Sequence, residues 1–294
     1  MQTDAIRAFV AICDLGSFQA AADTLHLSQP AISKRLATLE QRLGHALFDR
    51  VGRGVALTEA GRAYLPHARE LLAVLADGQR ALDNLGGKVA GPLRLALSHH
   101  VGLHRMPDIL RAYIRHYPQV SPEVVFLDSE AACRRVANGE LEIAVITLPT
   151  VADPQLVETH IWDDPMRVFA AHEHPLARSS PVGAAALAEH PAVLPPTESY
   201  TYGIVVAALA RLGVTVTPRM TSHYLETLQM LAATGIGWTV LPASMHHEEL
   251  VPVEVRGLAL TRRLGVIRHP QRSLSNAAGA LLTMLIDERD ADRG

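Results

Sequence analysis

Cysteine is scarce in this 294-residue chain, which contains only Cys13 and Cys133. Two thiols cannot build a disulfide framework or a four-cysteine zinc site. Long apolar runs are missing as well, since no stretch approaches the roughly 18 uninterrupted apolar residues of a membrane span. The first residues also lack the basic start and apolar run of a signal peptide. We therefore expect a cytoplasmic chain without a membrane partner.

Lysine and aromatic residues are also rare. Lysine occurs only as Lys34 and Lys88, so arginine supplies 25 of the 27 basic side chains, and aromatic residues make up 4%. The formal net charge is -3, which on its own argues against a nucleic-acid binder, because such proteins usually carry a basic excess. Apolar residues make up 48% and charged residues 19%. This balance predicts a globular chain, and the length corresponds to about two domains at roughly 150 residues each.

Short helices separated by turn signals are predicted over the first 58 residues. Gly16 ends the first helix, and Ser17 and Ser28 can cap the next two by accepting hydrogen bonds from free backbone N–H groups. Pro30 lies in the first turn of the third helix, where its missing N–H costs little. We expect helices over residues 4–15, 18–25 and 29–43, and then a wing of two short extended pieces between 46 and 57. Two short helices joined by a tight turn are the core of a helix-turn-helix.

The third predicted helix has a face suited to a DNA major groove. Its apolar stripe is Ile32, Leu36, Leu39 and Leu43, and the opposite side is small and polar with one cation. The side chains that could read bases or phosphates there are Gln29, Pro30, Ser33 and Lys34. Residues 28–53 carry five basic and two acidic side chains, a local charge of +3 in an acidic chain. A solvated helix face without partner is the alternative interpretation.

A long helix is predicted from Thr58, as its cap, to about Leu85. Apolar or small residues recur there at alternating steps of four and three: Tyr64, Ala68, Leu71, Leu75, Gly78, Leu82 and Leu85. Such a heptad seam favours pairing with a second copy of the helix, and the alternative is packing against its own chain. The glycine-rich stretch 86–92 then predicts a hinge or linker.

From residue 92 onward, strand and helix patterns alternate in two sets. The predicted strands include 93–97, 123–127, 141–147, 167–171, 192–194, 215–217, 237–241 and 264–268. Such alternation predicts an α/β fold with a mostly parallel sheet and helices on both faces. Ligands in open α/β sheets bind beyond the carboxyl ends of strands. The side chains following two of these ends are Ser98, His99, His100 and Thr147.

The first sixty residues resemble the N-terminal signature of LysR-type transcriptional regulators. The resemblance rests on Gly16-Ser17-Phe18, Ala20-Ala21-Ala22, the run Leu27-Ser28-Gln29-Pro30-Ala31-Ile32-Ser33, Leu47-Phe48, and Leu57-Thr58 with Ala60-Gly61. Two looser segments, 139–145 and 231–243, resemble the family's C-terminal half. The resemblance implies an N-terminal all-α winged helix-turn-helix with a linker helix, then two α/β subdomains that resemble a periplasmic binding protein.

The resemblance also implies domains, sites and partners. The winged domain would span residues 1–58, the dimerising linker helix and hinge 59–91, and the effector-binding domain 92–294. Its first subdomain would take about 92–161 with 266–294, and its second about 162–265. DNA contacts would come from Gln29, Pro30, Ser33 and Lys34, with Arg53 on the wing. Thr201, Tyr202 and His223 would add to the far wall of the effector cleft.

We therefore expect a regulator that is not an enzyme and binds a double-stranded DNA operator. Its other partners would be a small-molecule effector, an anion or carboxylate, and further copies of itself in a homodimer or homotetramer. RNA polymerase is a further candidate partner. No cofactor and no metal site are predicted, because the clustered histidines show no recognised ligand spacing with nearby carboxylates or cysteines. The alternatives are a binding protein or enzyme that uses the cleft, and a sensor of metal or of redox state through Cys133.

Overall fold

A computed structural model describes residues 2–51, 54–245 and 247–291. The chain forms two compact units, one built on residues 1–86 and the other on residues 87–137 and 141–294. Among the described residues, no helix has both the length and the apolar character needed to cross a membrane.

Three helices and a short hairpin form the body of the first unit. The helices are α1 (Gln2–Leu15), α2 (Phe18–Thr24) and α3 (Gln29–Leu43), and the strands are β1 (Phe48–Val51) and β2 (Gly54–Leu57). The predicted caps are confirmed: Ser17 accepts a hydrogen bond from the N–H of Ala20, and Ser28 from that of Ala31. The strands pair antiparallel, with Phe48 opposite Leu57, as the predicted wing requires.

The long helix α4 (Glu59–Asn84) begins where the sequence predicts. The Thr58 hydroxyl accepts a hydrogen bond from the N–H of Gly61 and donates one to the carbonyl of Ala46. Gly61 lies close to the residue that precedes β1, so that an added Cβ would stand 2.1 Å from the carbonyl oxygen of Leu47. Arg69 donates to the Asp14 carboxylate at 2.5 Å, which joins α4 to α1. The start of α4 is therefore fixed to the winged body.

The second unit alternates strands and helices from residue 91 onward. Its strands are β3 (Gly91–Leu97), β4 (Val120–Phe126), β5 (Ile143–Thr147), β6 (Val157–Ala171), β7 (Ala192–Leu194), β8 (Pro218–Thr221), β9 (Thr239–Pro242), β10 (Leu250–Val253) and β11 (Leu260–Arg268). Its helices are α5 (His99–His104), α6 (Met106–His116), α7 (Ser129–Ala137), α8 (Pro175–Arg178), α9 (Ala185–Ala188), α10 (Tyr200–Ala210), α11 (Leu225–Ala233) and α12 (Asn276–Ala291). The strand expected at 215–217 is wrong, because the pairing strand begins at Pro218.

The large sheet is mixed, so the expectation of a mostly parallel sheet is wrong. Its order is β10-β6-β11-β5-β3-β4, with β9 also paired to β6. Only β3 pairs in parallel, with β4 and β5, whereas β6 and β11 run antiparallel to all of their partners. Strands β5 and β6 run in the same direction, since both are antiparallel to β11, which lies between them. The reversed strands are β9, β10 and β11.

Two lobes share this sheet. One core packs around Leu95, Tyr113 and Leu281, and another around Leu194, Val205 and Trp238. Strand β6 contributes to both, with Ile161 and Trp162 in the first and Met166, Val168 and Ala170 in the second. Strand β11 does the same through Val266 and Leu260. Both lobes are thus built on two continuous strands.

Candidate nucleic-acid interface and ligand pocket

Helix α3 buries its apolar stripe except for Leu43, which is 37% exposed, and leaves the opposite side open. Ile32, Leu36 and Leu39 are at most 5% exposed, because they pack on α1 and the rest of the winged body. The four side chains predicted for DNA contact are all exposed: Gln29, Pro30, Ser33 and Lys34. The first two turns of α3 therefore present a polar surface with one ammonium group, held by buried apolar side chains.

A basic groove between α1 and α3 extends this surface. Lys34, Arg35 and Arg42 line it, with Asp4 on the α1 side. Glu40 does not offset these charges on the open face, because its Oε1 accepts a hydrogen bond from the N–H of Leu47 at 2.7 Å. Sequence reasoning left Arg35 and Arg42 out of the contact set, although their charges were counted. Arg53, predicted at the wing tip, lies outside the described residues.

The exposed side of α4 is apolar over its second half. Of the predicted heptad seam, Tyr64 and Ala68 pack into the core of their own unit. Farther along, the large apolar side chains are 49–83% exposed: Leu71, Val74, Leu75, Leu82 and Leu85. The two interpretations of the seam thus apply to different parts of the helix. Its start packs on its own chain, and the remainder is an uncovered apolar stripe.

A cavity of about 310 Å³ lies in the second unit, and four helices begin at its wall. They are α5 at Ser98 and His99, α7 at Asp128 and Ser129, α10 at Ser199 and Thr201, and α11 at Tyr224 and Leu225. Helix starts carry free N–H groups and the positive end of the helix dipole, so they favour an anion. Ser98 caps α5 by position, but its hydroxyl makes no cap hydrogen bond. That hydroxyl is therefore available to a ligand.

Six of the seven predicted cleft residues line this cavity: Ser98, His99, His100, Thr147, Thr201 and His223. Tyr202 does not, because it packs against the core of the second lobe. The role of Tyr202 as an effector contact stays a prediction, on the helix that brings Thr201 to the cavity.

Buried charges stand at the floor of the cavity. Arg262 is 3% and Asp164 1% exposed, and Nε and Nη2 of Arg262 donate to Oδ2 of Asp164 at 3.0 and 2.5 Å. Arg105 lies 3.8 Å from the other carboxylate oxygen, so two cations share one anion. Burial, followed by the charge of Arg262, lowers the pKa of His100 to about 3, which keeps its imidazole neutral. The Arg262 guanidinium on the lining favours an anionic ligand at this point of the cavity.

Several lining residues escaped the sequence analysis. Asp128 and Ser129 follow the carboxyl end of β4, so the same strand-end rule could have found them. Arg262 gave no such signal, because the strand was predicted only from 264 onward. Glu130 also lines the wall, where its carboxylate accepts a hydrogen bond from the N–H of Tyr200 at 2.5 Å. It ties the start of α10 to α7.

Cys133 is a poor candidate for a redox sensor. It is 5% exposed on α7, and burial raises the pKa of its thiol to about 11. Reactive cysteines are accessible and have lowered pKa values, because the thiolate is the reacting form. This thiol is protonated and shielded at physiological pH.

Comparison with known proteins places both halves in one family. The LysR substrate binding domain matches residues 86–290, and the bacterial regulatory helix-turn-helix domain of the lysR family matches residues 3–62. A probable RuBisCO transcriptional regulator of Cyanidioschyzon merolae is 30% identical over 285 residues, 94% of each chain. An uncharacterized HTH-type transcriptional regulator of Azotobacter vinelandii, encoded in the ibpB-leuC intergenic region, is 58% identical over 107 residues, 36% of this chain and 74% of that protein.

A solved structure of similar fold is the regulatory domain of Synechocystis CcmR in complex with 2-PG. It is 25% identical, covers 67% of this chain and 96% of its own, and superposes with a TM-score of 0.60. The matches to both domain models, and the relative aligned along nearly the whole chain, agree with the winged body and the two-lobed unit. The chain belongs to the LysR family of bacterial transcriptional regulators.

Proposed function

We propose that this regulator binds its operator through the first two turns of α3 and the wing, and that a small carboxylate or similar anion in the 310 Å³ cavity is its effector. The observation that carries the effector class is the set of four helix starts around one cavity whose lining includes the Arg262 guanidinium. Because the family consists of transcriptional regulators, an enzyme in the cleft is no longer an alternative.

The acidic lining residues are compatible with an anionic ligand. Asp128 accepts a hydrogen bond from the N–H of Ala131 at 2.6 Å, and Glu130 accepts one from the N–H of Tyr200. Both carboxylates are thus engaged with helix starts. The polar groups available to a ligand include the hydroxyl of Ser98 and the side chains of His99 and His223.

The remaining assignments support one scheme. Residues 1–58 would read DNA, 59–91 would pair two chains along α4, and 92–294 would bind the effector. Two winged domains would then reach two half-sites in a dimer or tetramer, and the operator places the protein in the cytoplasm. Effector and DNA affect each other only if each binds the possible assemblies with different free energies, whether both favour the same assembly or opposing ones. The 2-PG complex of the CcmR domain supports small-molecule binding by this type of domain.

The effector class is tested by thermal unfolding of the full-length chain with a panel of small carboxylates and phosphate esters, each beside its neutral amide or alcohol. An acid at 100 times its Kd stabilises the folded state by about 2.7 kcal/mol, which raises the unfolding midpoint. Ser98→Ala removes one hydrogen bond to a charged group, worth about 1.5–3 kcal/mol. We expect roughly 10- to 150-fold weaker binding of the same acid.

Ser121→Ala is the matched control, because Ser121 is exposed on β4 and lies outside the cavity. It should bind the acid as the wild type does. Stabilisation by the neutral analogues but not by the acids would contradict the anionic class. Equal affinity of wild type and Ser98→Ala would remove Ser98 from the site.

A further inference from the structure

Metal-ligating side chains from two helices meet at the rim of the cavity. His100 and His104 lie one turn apart on α5, and Glu226 lies in the first turn of α11. One nitrogen of each of these histidines and one oxygen of Glu226 all lie within 4.8 Å of one another. Nε2 of His104 is 3.2 Å from Oε1 of Glu226, and Nδ1 of His99 is 3.5 Å from Oε2. We propose that His100, His104 and Glu226 bind a divalent transition-metal ion of the zinc class, with His99 or water as fourth ligand.

The hydrogen bonding of this cluster supports a missing ligand. Three buried atoms have no hydrogen-bond partner among the residues that the structure describes: Nδ1 of His99, Nδ1 of His100 and Oε2 of Glu226. His100 is only 6% exposed, so water does not readily replace the partner. Buried polar atoms in folded proteins are nearly always paired. A cation bound by His100 and Glu226 would give these two side chains a partner, and His99 as well where it is the fourth ligand.

The donor set selects the metal. Imidazole nitrogens combined with one carboxylate suit Zn²⁺, whereas Ca²⁺ and Mg²⁺ take oxygen ligands. Two histidines four residues apart on one helix face form a spacing that zinc sites use. Neutral imidazole is the ligand form, and His100 is held in it by burial. Burial alone would raise the pKa of Glu226, but hydrogen bonds from its own backbone N–H and from His104 outweigh this and lower it, so it is ionised.

Binding requires a modest contraction of the cluster. Ligand atoms of a tetrahedral zinc site stand roughly 3.3 Å apart, given Zn–N distances of about 2.0–2.1 Å. The side chains of His104 and Glu226 are 47% and 37% exposed, which leaves both able to rotate toward His100. Arg105 and Arg262 lie near His100, and Asp164 between them offsets part of their charge.

The distance between its ligands along the chain hid this site in the sequence. The acidic residue nearest to His104 in the chain is Asp108, whereas the carboxylate of the cluster belongs to Glu226, 122 positions from His104. Helix α5 packs in the first lobe through Val101, and α11 in the second through Leu225. A bound ion would therefore connect the two lobes.

The test uses the untagged full-length chain, stripped with a chelator and titrated with Zn²⁺ against a chromophoric competitor. A parallel titration with Co²⁺ reports coordination geometry through its visible absorption. The variants are His104→Ala and Glu226→Gln, because both residues are partly exposed and tolerate substitution better than buried His100. His116→Ala is the control, since His116 is an exposed histidine on α6 outside the cluster.

We expect one tightly bound ion per wild-type chain. Each variant should bind at least about tenfold more weakly, because losing a residue that holds a metal, even indirectly, usually costs that much in affinity. His116→Ala should match the wild type, and metal-free unfolding midpoints show whether the variants fold. Absence of stoichiometric Zn²⁺ binding by the wild type would overturn the proposal. So would wild-type affinity in both His104→Ala and Glu226→Gln. No organic effector is present, so failure here leaves the proposed function standing.

Discussion

Lys34 combines exposure with a fixed position. Its side chain stands on the open face of α3, six residues after the cap at Ser28, while Ile32 and Leu36 hold the helix on the winged body. The carbonyl of Lys34 accepts a hydrogen bond from the Thr38 hydroxyl at 2.8 Å. In the proposed operator contact, the ammonium would approach DNA from an ordered helix.

We expect Lys34→Ala to weaken operator binding by about 1–3 kcal/mol if Lys34 contacts a base. A phosphate contact would instead lower the slope of log affinity against log salt by about one. Fluorescence anisotropy measures both, with a duplex selected by the wild type from a random library. Lys88→Ala, at the only other lysine, is the control. Unchanged affinity of Lys34→Ala at fixed salt would remove Lys34 from the interface.

At the residue scale, local chemistry was predictable and distant pairing was not. The caps at Ser17, Ser28 and Thr58 follow from residue type next to a helix start. The pair of Arg262 with Asp164 joins residues 98 positions apart, and no periodicity in the sequence signals it.

Helix α4 carries its uncovered apolar stripe only where it extends past the winged body. Ala68 is fully buried, whereas Leu75 and Leu82 are 52% and 64% exposed. A contiguous apolar stripe of this kind marks an interaction surface. Its heptad spacing favours a second copy of the same helix.

The double variant Leu75→Glu, Leu82→Glu should dissociate the oligomer, because four like charges would meet in a paired seam. Light scattering coupled to size-exclusion chromatography measures the mass. Operator affinity should fall with it, since two linked winged domains bind more tightly than one. Ala76→Glu, on the other side of α4, should leave the mass unchanged. An unchanged mass for the double variant would place the interface elsewhere.

Helices and strands could be predicted where signals within one segment of the sequence determine its structure. The first three helices and the wing match their predicted ranges closely, because caps, glycine and period 3.6 are local signals. Strand β6 was predicted only from 167, although it begins at Val157, because polar residues such as Glu158 and His160 interrupt its apolar pattern. Strand direction depends on which strand becomes the neighbour, so the mixed sheet could not be predicted from alternation.

At the scale of the whole molecule, the two strands shared by the lobes change register between Leu264 and Gly265, inside the first lobe, whose core includes Leu264 and Val266. A Cβ on Gly265 would stand 2.2 Å from the carbonyl oxygen of Thr159 and 3.1 Å from Cδ1 of Leu148. The absence of a side chain at this position is therefore a condition of this strand pairing.

Gly265→Ala should lower the free energy of unfolding by about 1–3 kcal/mol or more, because backbone has to move to admit the methyl group. Gly279→Ala is the matched control: Gly279 lies on α12 with no atom within 4 Å of an added Cβ, and alanine favours a helix. Urea denaturation should shift the two midpoints in opposite directions. An unfolding midpoint of Gly265→Ala equal to that of the wild type would show that β11 and β6 are not closely packed at this position.

The two strands shared by the lobes also limit how the effector unit can move. β6 and β11 contribute to both cores, and β11 is paired with β6 from Leu260 to Arg268, its whole length. Because these strands form the connection, a change of angle between the lobes has to twist them. We therefore expect ligand binding to rotate the lobes only through small angles.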